Sequence, residues 1–110
     1  MIYKNTICAV ATPAGGALSI IRISGPGTYA ICEKVIEFPL DKKKLNQLPA
    51  NTVHFARIKE NNEIIDEVMI SLFRKPVSYT GEDMIEISCH GSTYIQKRIL
   101  EALIHSGASL

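Results

Sequence analysis

Apolar residues in this chain fall into short runs divided by glycine, proline and polar turns, and most runs have the length of a strand. Five strands are predicted, at residues 6–11, 18–24, 52–59, 63–74 and 84–89. The first two are separated by a glycine-rich segment and can pair across it. The third and fourth flank Glu60-Asn61-Asn62, a favourable turn sequence, and predict a hairpin. Asp66-Glu67 interrupts the fourth run, which indicates a bulge or a later strand start.

Two segments show the three-to-four-residue apolar spacing of a helix. Thr28–Phe38 is the first and is closed by Pro39, and Thr93–Ser106 is the second and is closed by Gly107. We expect Ala108–Leu110 to begin a further strand that a chain boundary cuts off. The order strand, strand, helix, hairpin, strand, helix predicts an α+β fold. Its sheet is expected to be mixed and largely antiparallel, with helices packed on one side.

The size and composition are those of one globular domain, with 110 residues, 46% hydrophobic and 21% charged. A net charge of +1 gives no general attraction for nucleic acid or an anionic membrane. The basic run Lys42–Lys44 has no aromatic neighbours to stack on bases and is expected in a solvated loop. Three separated cysteines predict reduced thiols in a cytoplasmic protein. No apolar run reaches the ~18 residues of a membrane span, and no signal peptide is expected.

Two charged residues interrupt apolar strands and need partners. Arg22 lies in LSIIRIS and Glu86 lies in MIEISC, with mostly apolar neighbours on both faces. One interpretation is an ion pair, between these two or from Glu86 to a lysine; breaking a buried pair would cost ~3–5 kcal/mol. The other is a ligand pocket. A carboxylate accepts two parallel hydrogen bonds from an amino-imino edge, such as that of a pterin or guanine, and an arginine suits the ligand's acid groups.

The other motifs favour structural roles. The loop Thr12–Ala17 lacks the Gly-Lys-Ser/Thr ending and the following helix of a phosphate loop, so we expect a turn that can form one pocket wall. Glu82 and Asp83 are expected in a solvated turn. Cys89 and His90 have no further ligands at zinc spacing, and His90 is expected to be structural. The next helix begins there, and its N-terminus can bind an anion. We predict no metal site and no catalytic residue.

Two stretches together resemble a known family. TPAGGALSIIRISG, at residues 12–25, precedes SYTGEDMIEISCHGS, at residues 78–92. They resemble the signatures of the N-terminal domain of the MnmE (TrmE) tRNA-modification GTPases. These are a Thr-Pro-x-Gly stretch ending in Arg-Ile-Ser-Gly and a Thr-Gly-Glu-Asp … Glu … His-Gly-Gly stretch. Ser92 stands in place of the family's usual second glycine. The resemblance covers essentially the whole chain, and the pair of signatures is far more specific than either one.

The resemblance implies a fold, a ligand and an assembly. The family's N-terminal domain is similar to the tetrahydrofolate-binding domain of glycine-cleavage aminomethyltransferases. Residues 1–110 would then form an N-terminal folate-binding and dimerisation domain, with 5-formyl-tetrahydrofolate or a related folate as its ligand. The family's folate-contacting arginine and glutamate match Arg22 and Glu86. A third basic contact would lie beyond Leu110.

The resemblance also places the catalytic chemistry elsewhere. Full-length family members hydrolyse GTP and act with the flavoprotein MnmG to modify the wobble uridine of certain tRNAs in the cytoplasm. Their helical and GTPase domains, with the potassium and magnesium that the GTPase domain uses, would lie beyond Leu110. We therefore expect no catalytic activity from the present residues and no membrane association.

Two alternatives from other classes remain. The first is a homodimerisation module without a ligand of its own, in which Arg22 and Glu86 form a structural ion pair. A salt bridge filling the site would support it, and an open cleft beside Glu86 would argue against it. The second is a small hydrolase, which is weakly supported because the sequence offers no nucleophile and base at suitable spacing.

Overall fold

The structure, a computed structural model, describes residues 5–13, 15–40 and 44–110. Its strands and helices are β1 (Ile7–Val10), β2 (Leu18–Ser24), α1 (Thr28–Glu33), β3 (Ile36–Glu37), β4 (Val53–Glu60), β5 (Glu63–Phe73), β6 (Met84–His90) and α2 (Thr93–His105). A short 3-10 turn, Leu45–Gln47, lies between β3 and β4. Lys42 and Lys43 of the basic run, and Ala14 of the glycine-rich loop, lie outside the described residues.

The strands form one six-stranded sheet in the order β1-β2-β6-β5-β4-β3, and all neighbouring strands are antiparallel. The predicted α+β class with an antiparallel sheet is confirmed. Near the chain end Ser109 forms a single parallel bridge with Ile7 at the edge of the sheet, where a further strand was expected. In the part of the chain that the structure describes, no helix has the length and apolar character needed to cross a membrane.

The hydrophobic core lies on one face of the sheet, where both helices pack. Buried and more exposed residues alternate along β2, so Ile21 and Ile23 face the helices and Arg22 points to the opposite side. The core joins strand residues to helix residues, including Ile21, Ile23, Ile70, Leu72, Ile85, Ile87, Ile31, Cys32, Ile99, Ala102 and Leu103. The opposite side of the sheet, which carries Arg22 on β2, Glu86 on β6 and Ser71 on β5, is called the open face below.

The first helix is shorter than its apolar spacing predicted. α1 ends at Glu33, and residues up to Phe38 were wrongly assigned to it. Ile36 and Glu37 instead form β3 and pair with β4 at the sheet edge. The backbone oxygen of Val35 accepts a hydrogen bond from Lys59 N at 2.8 Å. Hydrogen bonding to the sheet therefore begins at Val35, one residue before β3. Val35 is buried, and a buried apolar residue suits a helix as well as the turn before a strand, so its apolar character does not distinguish the two.

The hairpin of β4 and β5 forms as predicted, and β5 contains a bulge next to Asp66. Asn61 and Asn62 turn the chain with φ of 53° and 63°, a conformation that asparagine tolerates better than most residues. The pairing register shifts where Ile58 faces Asp66, which matches the predicted bulge. The bulge places an extra residue in β5, and such irregularities redirect side chains.

Candidate functional site

Arg22 and Glu86 form an ion pair in the middle of the open face. They are direct register partners on β2 and β6. Arg22 Nε donates to Glu86 Oε2 at 3.0 Å, and Nη2 donates to the same oxygen at 2.6 Å. The pairing that the strand patterns allowed is thus present. β2 lies between β1 and β6 and is an interior strand of the sheet, but no helix covers its open face in the described structure, and the Arg22 side chain is 36% exposed.

The ion pair leaves polar atoms available for another partner. Both donor groups of Arg22 reach Oε2, and among the described residues nothing donates to Oε1 of Glu86. No buried side-chain nitrogen or oxygen of the described structure lacks a hydrogen-bond partner, so Oε1 is exposed to solvent. A carboxylate offers about four acceptor positions, of which Arg22 takes two. Glu86 can therefore keep Arg22 and accept further hydrogen bonds.

A cavity of about 510 Å³ lies beside Arg22, on the side away from Glu86. Ala9 of β1 is the register partner of Arg22, and its small side chain leaves space above the strand. The cavity is lined by Asn5, Ile7, Ala9, Val10, Ala11, Arg22, Ser24, Thr80 and Glu82. Its volume lies within the range of small-molecule sites in proteins. Glu86 is not part of this lining and lies on the next strand, just past Arg22.

The loop between β5 and β6 reaches over to β2 and borders the cavity. Thr80 Oγ1 and Ser24 Oγ share a hydrogen bond of 2.6 Å, which ties the loop to the end of β2. The ring of Tyr79 lies over the guanidinium of Arg22, with 5.6 Å from Cζ to the ring centroid. Gly81 has a φ of +76°, a conformation that favours glycine, and it lets the chain turn after Thr80. The loop thus contributes one hydroxyl and one aromatic ring next to Arg22.

The glycine-rich segment after β1 packs against the start of α2. Gly91 N donates to Ala17 O at 2.9 Å. A Cβ atom on Gly91 would lie 1.8 Å from Gly16 O, so only glycine fits at position 91. The described residues of Thr12–Ala17 do not line the cavity, whose wall on this side is β1 up to Ala11. The close approach of two backbones therefore explains the glycine at position 91.

Cys89 and His90 take structural positions. Asp66, with a side chain only 9% exposed, accepts a hydrogen bond from His90 N at 3.0 Å and lies 2.8 Å from His90 Nδ1. This contact fixes the end of β6 to the bulge of β5. Cys89 is buried, and burial, with a smaller effect of the Asp66 charge, raises the pKa of its thiol to about 11. Burial also raises the pKa of Cys8 and Cys32. Thiols with raised pKa are weak nucleophiles at neutral pH.

The acidic pair before β6 has divided roles. Asp83 Oδ1 accepts a hydrogen bond from Lys75 N at 3.0 Å, which closes the loop at its base. Glu82 is exposed, as expected for a solvated turn, and its side of the loop borders the cavity beside Arg22. In the described part of the chain, no three histidine, cysteine or acidic side chains are grouped so that they can hold a metal ion.

A cavity of about 610 Å³ lies between the turn of the β4–β5 hairpin and the end of α2. Its charged groups are engaged with protein atoms. Lys59 Nζ is 3.0 Å from Glu37 Oε2, and His105 Nδ1 is 2.9 Å from Glu60 Oε2. Lys34 Nζ donates to Ser106 O at 3.3 Å. The site around Arg22, where unused polar atoms meet a cavity, is the better candidate.

Sequence reasoning brought Arg22 and Glu86 together but missed three of their neighbours. Ala9 is small and sits in an apolar run, so nothing in its pattern marks it as a cavity wall. Tyr79 and Thr80 belong to a turn, and the sequence predicts no contact for either residue. One signal was available for Tyr79, since a large aromatic side chain in a glycine-containing turn has no strand face to bury it. The contact between Ser24 and Thr80 depends on the loop crossing β6, which local patterns do not reveal.

Comparison with known proteins gives one consistent result. Residues 6–110 match the family model described as "GTP-binding protein TrmE N-terminus". A protein of Parabacteroides distasonis named tRNA modification GTPase MnmE is 47% identical over 108 residues, which cover 96% of this chain and 23% of the relative. The protein of the same name from Flavobacterium johnsoniae is 45% identical over 111 residues, covering 100% of this chain and 24% of the relative.

A third relative gives the same result. The tRNA modification GTPase MnmE of Lachnoclostridium phytofermentans is 43% identical over 107 residues, which cover 96% of this chain and 23% of the relative. The chain thus spans about a quarter of the length of the curated relatives that it matches.

Proposed function

Because the chain belongs to the TrmE N-terminal family, we propose that residues 1–110 serve a tRNA modification GTPase as an N-terminal domain that binds a one-carbon tetrahydrofolate and forms homodimers. The observation that carries the folate proposal is the exposed Oε1 of Glu86, held next to Arg22 and close to a cavity of about 510 Å³. A carboxylate that is 18% exposed, with an unused oxygen and a concave surface on the far side of its arginine partner, suits a ligand with a donor edge.

The residues at the site fit a folate in chemical type. A reduced pterin has an amino group and a ring nitrogen side by side, and both can donate to one carboxylate. Folates also carry carboxylates at the other end, which an arginine can bind. The cavity is lined by apolar side chains from β1 together with Ser24, Thr80 and Glu82. This mixture of apolar surface and a few polar groups is common in ligand sites.

Glu86 and Arg22 then have distinct roles. Glu86 accepts the hydrogen bonds of the pterin edge. Arg22 keeps the Glu86 carboxylate in position through its two bonds to Oε2, and Nη1 remains for a polar group of the ligand next to its donor edge. Since Arg22 also lines the cavity, it lies between the carboxylate and the concave surface.

Isothermal titration with 5-formyl-tetrahydrofolate tests the folate proposal. The protein should extend past Leu110, where the family resemblance implies a third contact. Wild-type protein is expected to bind, and Glu86→Ala is expected to abolish binding because the pterin edge loses its acceptor. Glu86→Gln keeps the shape but replaces one acceptor oxygen with a donor, so it is expected to weaken binding strongly as well.

A control separates the loss of a contact from a loss of fold. Glu67→Gln makes the same change at another ion-paired position on the sheet, where Glu67 meets Arg57 at 3.2 Å. It is expected to bind like the wild type. Equal affinity of Glu86→Ala and wild type would remove Glu86 from the site, and no binding by the wild type would remove the folate proposal.

Exposed apolar side chains on the sheet support the proposal of a homodimer. Leu18, Met69 and Val53 lie on the open face and are each more than two-fifths exposed. No helix of the described structure covers them, and apolar surface of this kind favours association. A second copy of the chain is the partner that we propose for it.

Sedimentation equilibrium tests the dimer. Leu18→Lys places a charge on the open face and is expected to shift the protein towards monomer. Leu40→Lys makes the same substitution at an exposed leucine outside the strands and is expected to leave the assembly unchanged. A wild-type protein that stays monomeric at all concentrations, or an unaffected Leu18→Lys variant, would contradict a dimer through this face.

The observed ion pair favours one second candidate, a dimerisation module without a ligand in which Arg22 and Glu86 only stabilise the sheet. This candidate predicts no heat of binding with any folate and unchanged dimerisation when Glu86 is replaced by alanine. The cavity beside Arg22 argues for the folate proposal, because a purely structural pair needs no space next to it.

For the longer protein we propose GTP hydrolysis coupled to modification of the wobble uridine of certain tRNAs, in the cytoplasm and together with the flavoprotein MnmG. Potassium and magnesium would act in the GTPase domain. The name of the relatives, tRNA modification GTPase, supports this. A GTPase assay on a protein extended past Leu110 should show turnover that residues 1–110 alone lack, and turnover by residues 1–110 would contradict this division.

A further inference from the structure

The side chain of Tyr79 is exposed to solvent directly beside the candidate site. Its side chain is 86% exposed, although tyrosine rings usually bury much of their apolar surface. Its recorded contact at the site is the cation–π approach to Arg22, at 5.6 Å. A cation–π contact at an exposed position is weak, so it does not by itself account for a ring in this place.

The loop that carries Tyr79 is held on both sides of the ring. Ser78 Oγ donates to Glu82 O at 2.6 Å across the loop. Thr80 Oγ1, on the other side, shares its 2.6 Å hydrogen bond with Ser24 on β2. The position of the Tyr79 backbone is therefore set by two contacts that leave its side chain uncovered. A fixed backbone lowers the entropy cost of using the ring in binding.

The ring stands between two cavities. Arg22, which it contacts, lines the cavity of about 510 Å³ together with Thr80. Tyr79 itself lines a neighbouring cavity of about 470 Å³ with Phe73 and Val77. A flat ligand whose donor edge reached Glu86 would lie next to Arg22, and the ring of Tyr79 contacts Arg22 there.

We propose that Tyr79 is a positioning residue for the ligand and that the flat heteroaromatic ring of the ligand stacks on it while its donor edge binds Glu86. The proposal rests on the folate function given above and adds the residue that orients the ring. Stacking on an aromatic side chain accepts any flat ring, whereas the carboxylate selects the amino-imino edge. Ring recognition is thus divided between Tyr79 and Glu86.

Titration of three variants with 5-formyl-tetrahydrofolate, in a protein extended past Leu110, tests this division. Tyr79→Ala is expected to weaken binding roughly tenfold because the stacking surface is lost. Tyr79→Phe keeps the ring and is expected to bind within about twofold of wild type, on the same basis. Tyr94→Ala removes another exposed tyrosine, on α2, which also lies near an arginine, Arg98, and it is expected to leave binding unchanged.

A fragment comparison tests the ring directly. Para-aminobenzoyl-glutamate has the acid end of a folate but no pterin, so Tyr79→Ala should bind it as the wild type does. Residues 1–110 contain no tryptophan, so the Tyr79→Trp variant introduces a fluorescent reporter at the site, and the extended protein without this substitution gives the background signal. The fluorescence of the reporter is expected to be quenched by 5-formyl-tetrahydrofolate and unaffected by para-aminobenzoyl-glutamate.

The outcomes separate the two proposals. If wild type binds the folate and Glu86→Ala does not, but Tyr79→Ala binds normally, the stacking role of Tyr79 is wrong and the folate function stands. Equal weakening by Tyr79→Phe and Tyr79→Ala would also contradict stacking, since it would assign the effect to the hydroxyl. If the wild type binds no folate, both proposals fail.

Discussion

Arg22 and Glu86 face each other directly across β2 and β6, and two nitrogens of Arg22 donate to the same oxygen of Glu86, at 3.0 and 2.6 Å. The pairing is one-sided, because it neutralises the carboxylate yet leaves Oε1 exposed. An ion pair formed only for stability gains most when both oxygens are bound in a parallel, two-pronged geometry. The geometry here is therefore suited to holding a carboxylate for another partner.

The exposure of the pair sets its effect on stability. A double-mutant cycle with Arg22→Met, Glu86→Gln and the double variant is expected to give a coupling of about 1 kcal/mol, since the pair is partly solvated. Urea unfolding measures it, and the coupling should shrink in 1 M salt. A coupling of ~3 kcal/mol or more, typical of removing a partner in a buried pair, would mean that the site is closed in solution.

Filling the cavity beside Arg22 should block ligand binding without harming the fold. Ala9→Leu adds a larger side chain opposite Arg22, at an exposed position of an edge strand. We expect its affinity for 5-formyl-tetrahydrofolate to fall at least about tenfold, a loss of ~1.4 kcal/mol, with unchanged unfolding by urea. Ala17→Leu makes the same change at an exposed position that does not line the cavity, and it should bind normally. Normal binding by both variants would place the ligand elsewhere.

The close contact at Gly91 predicts a strong effect of a single methyl group. Gly91→Ala would put Cβ 1.8 Å from Gly16 O, a backbone atom that cannot rotate away from it. This clash is relieved only if the glycine-rich segment around Gly16 moves away from the start of α2. We therefore expect a loss of about 3 kcal/mol in the free energy of unfolding. Gly81→Ala meets no atom within 4 Å and suffers only from its φ of +76°, so about 1 kcal/mol is expected. Similar losses for the two variants would show that the contact is looser than described.

Because the thiol of Cys89 and the hydroxyl of Tyr29 are buried, we expect the protein to become less stable in alkali. The pKa of Cys89 rises from 9.0 to about 11 and that of Tyr29 from 10.0 to about 12, chiefly through burial. Between these values the folded chain keeps protons that the unfolded chain has lost. The contribution of these two groups to the free energy of unfolding should therefore be constant just below pH 8 and fall as the pH rises from about 9 towards 12.

Urea unfolding at pH 8 and pH 10.5 measures this decline. Cys89→Ala removes one of the groups, so its stability should fall less between the two pH values than that of wild type. Contributions from other groups cancel in the comparison. An equal decline in both proteins would show that burial does not raise the pKa of Cys89.

Much of the sheet could be predicted because strand signals are local. The bounds of β2 were predicted as Leu18–Ser24, and α2 was predicted to within one residue at its end. The alternation that set Arg22 apart from Ile21 and Ile23 is a property of strand geometry alone. These elements are long or strongly periodic, so the local pattern predicts the same structure at every residue along them.

The remainder depends on contacts between distant residues. That Arg22 faces Glu86, 64 positions later, follows from the strand order and register, which packing of the whole sheet decides. α1 was predicted too long because the buried Val35 fits a helix as well as the turn that precedes β3. The position of Tyr79 over Arg22 depends on the path of a loop, which has no periodic signal.

The central claim is that Glu86 binds the edge of a folate ring, and a crystal structure with 5-formyl-tetrahydrofolate tests it most directly. The protein should extend past Leu110. We predict that the amino group and neighbouring nitrogen of the pterin lie within about 3 Å of the Glu86 carboxylate oxygens, with Arg22 still bonded to Oε2. A folate bound away from Glu86, or a site that keeps only the Arg22–Glu86 pair at saturating ligand, would contradict the account.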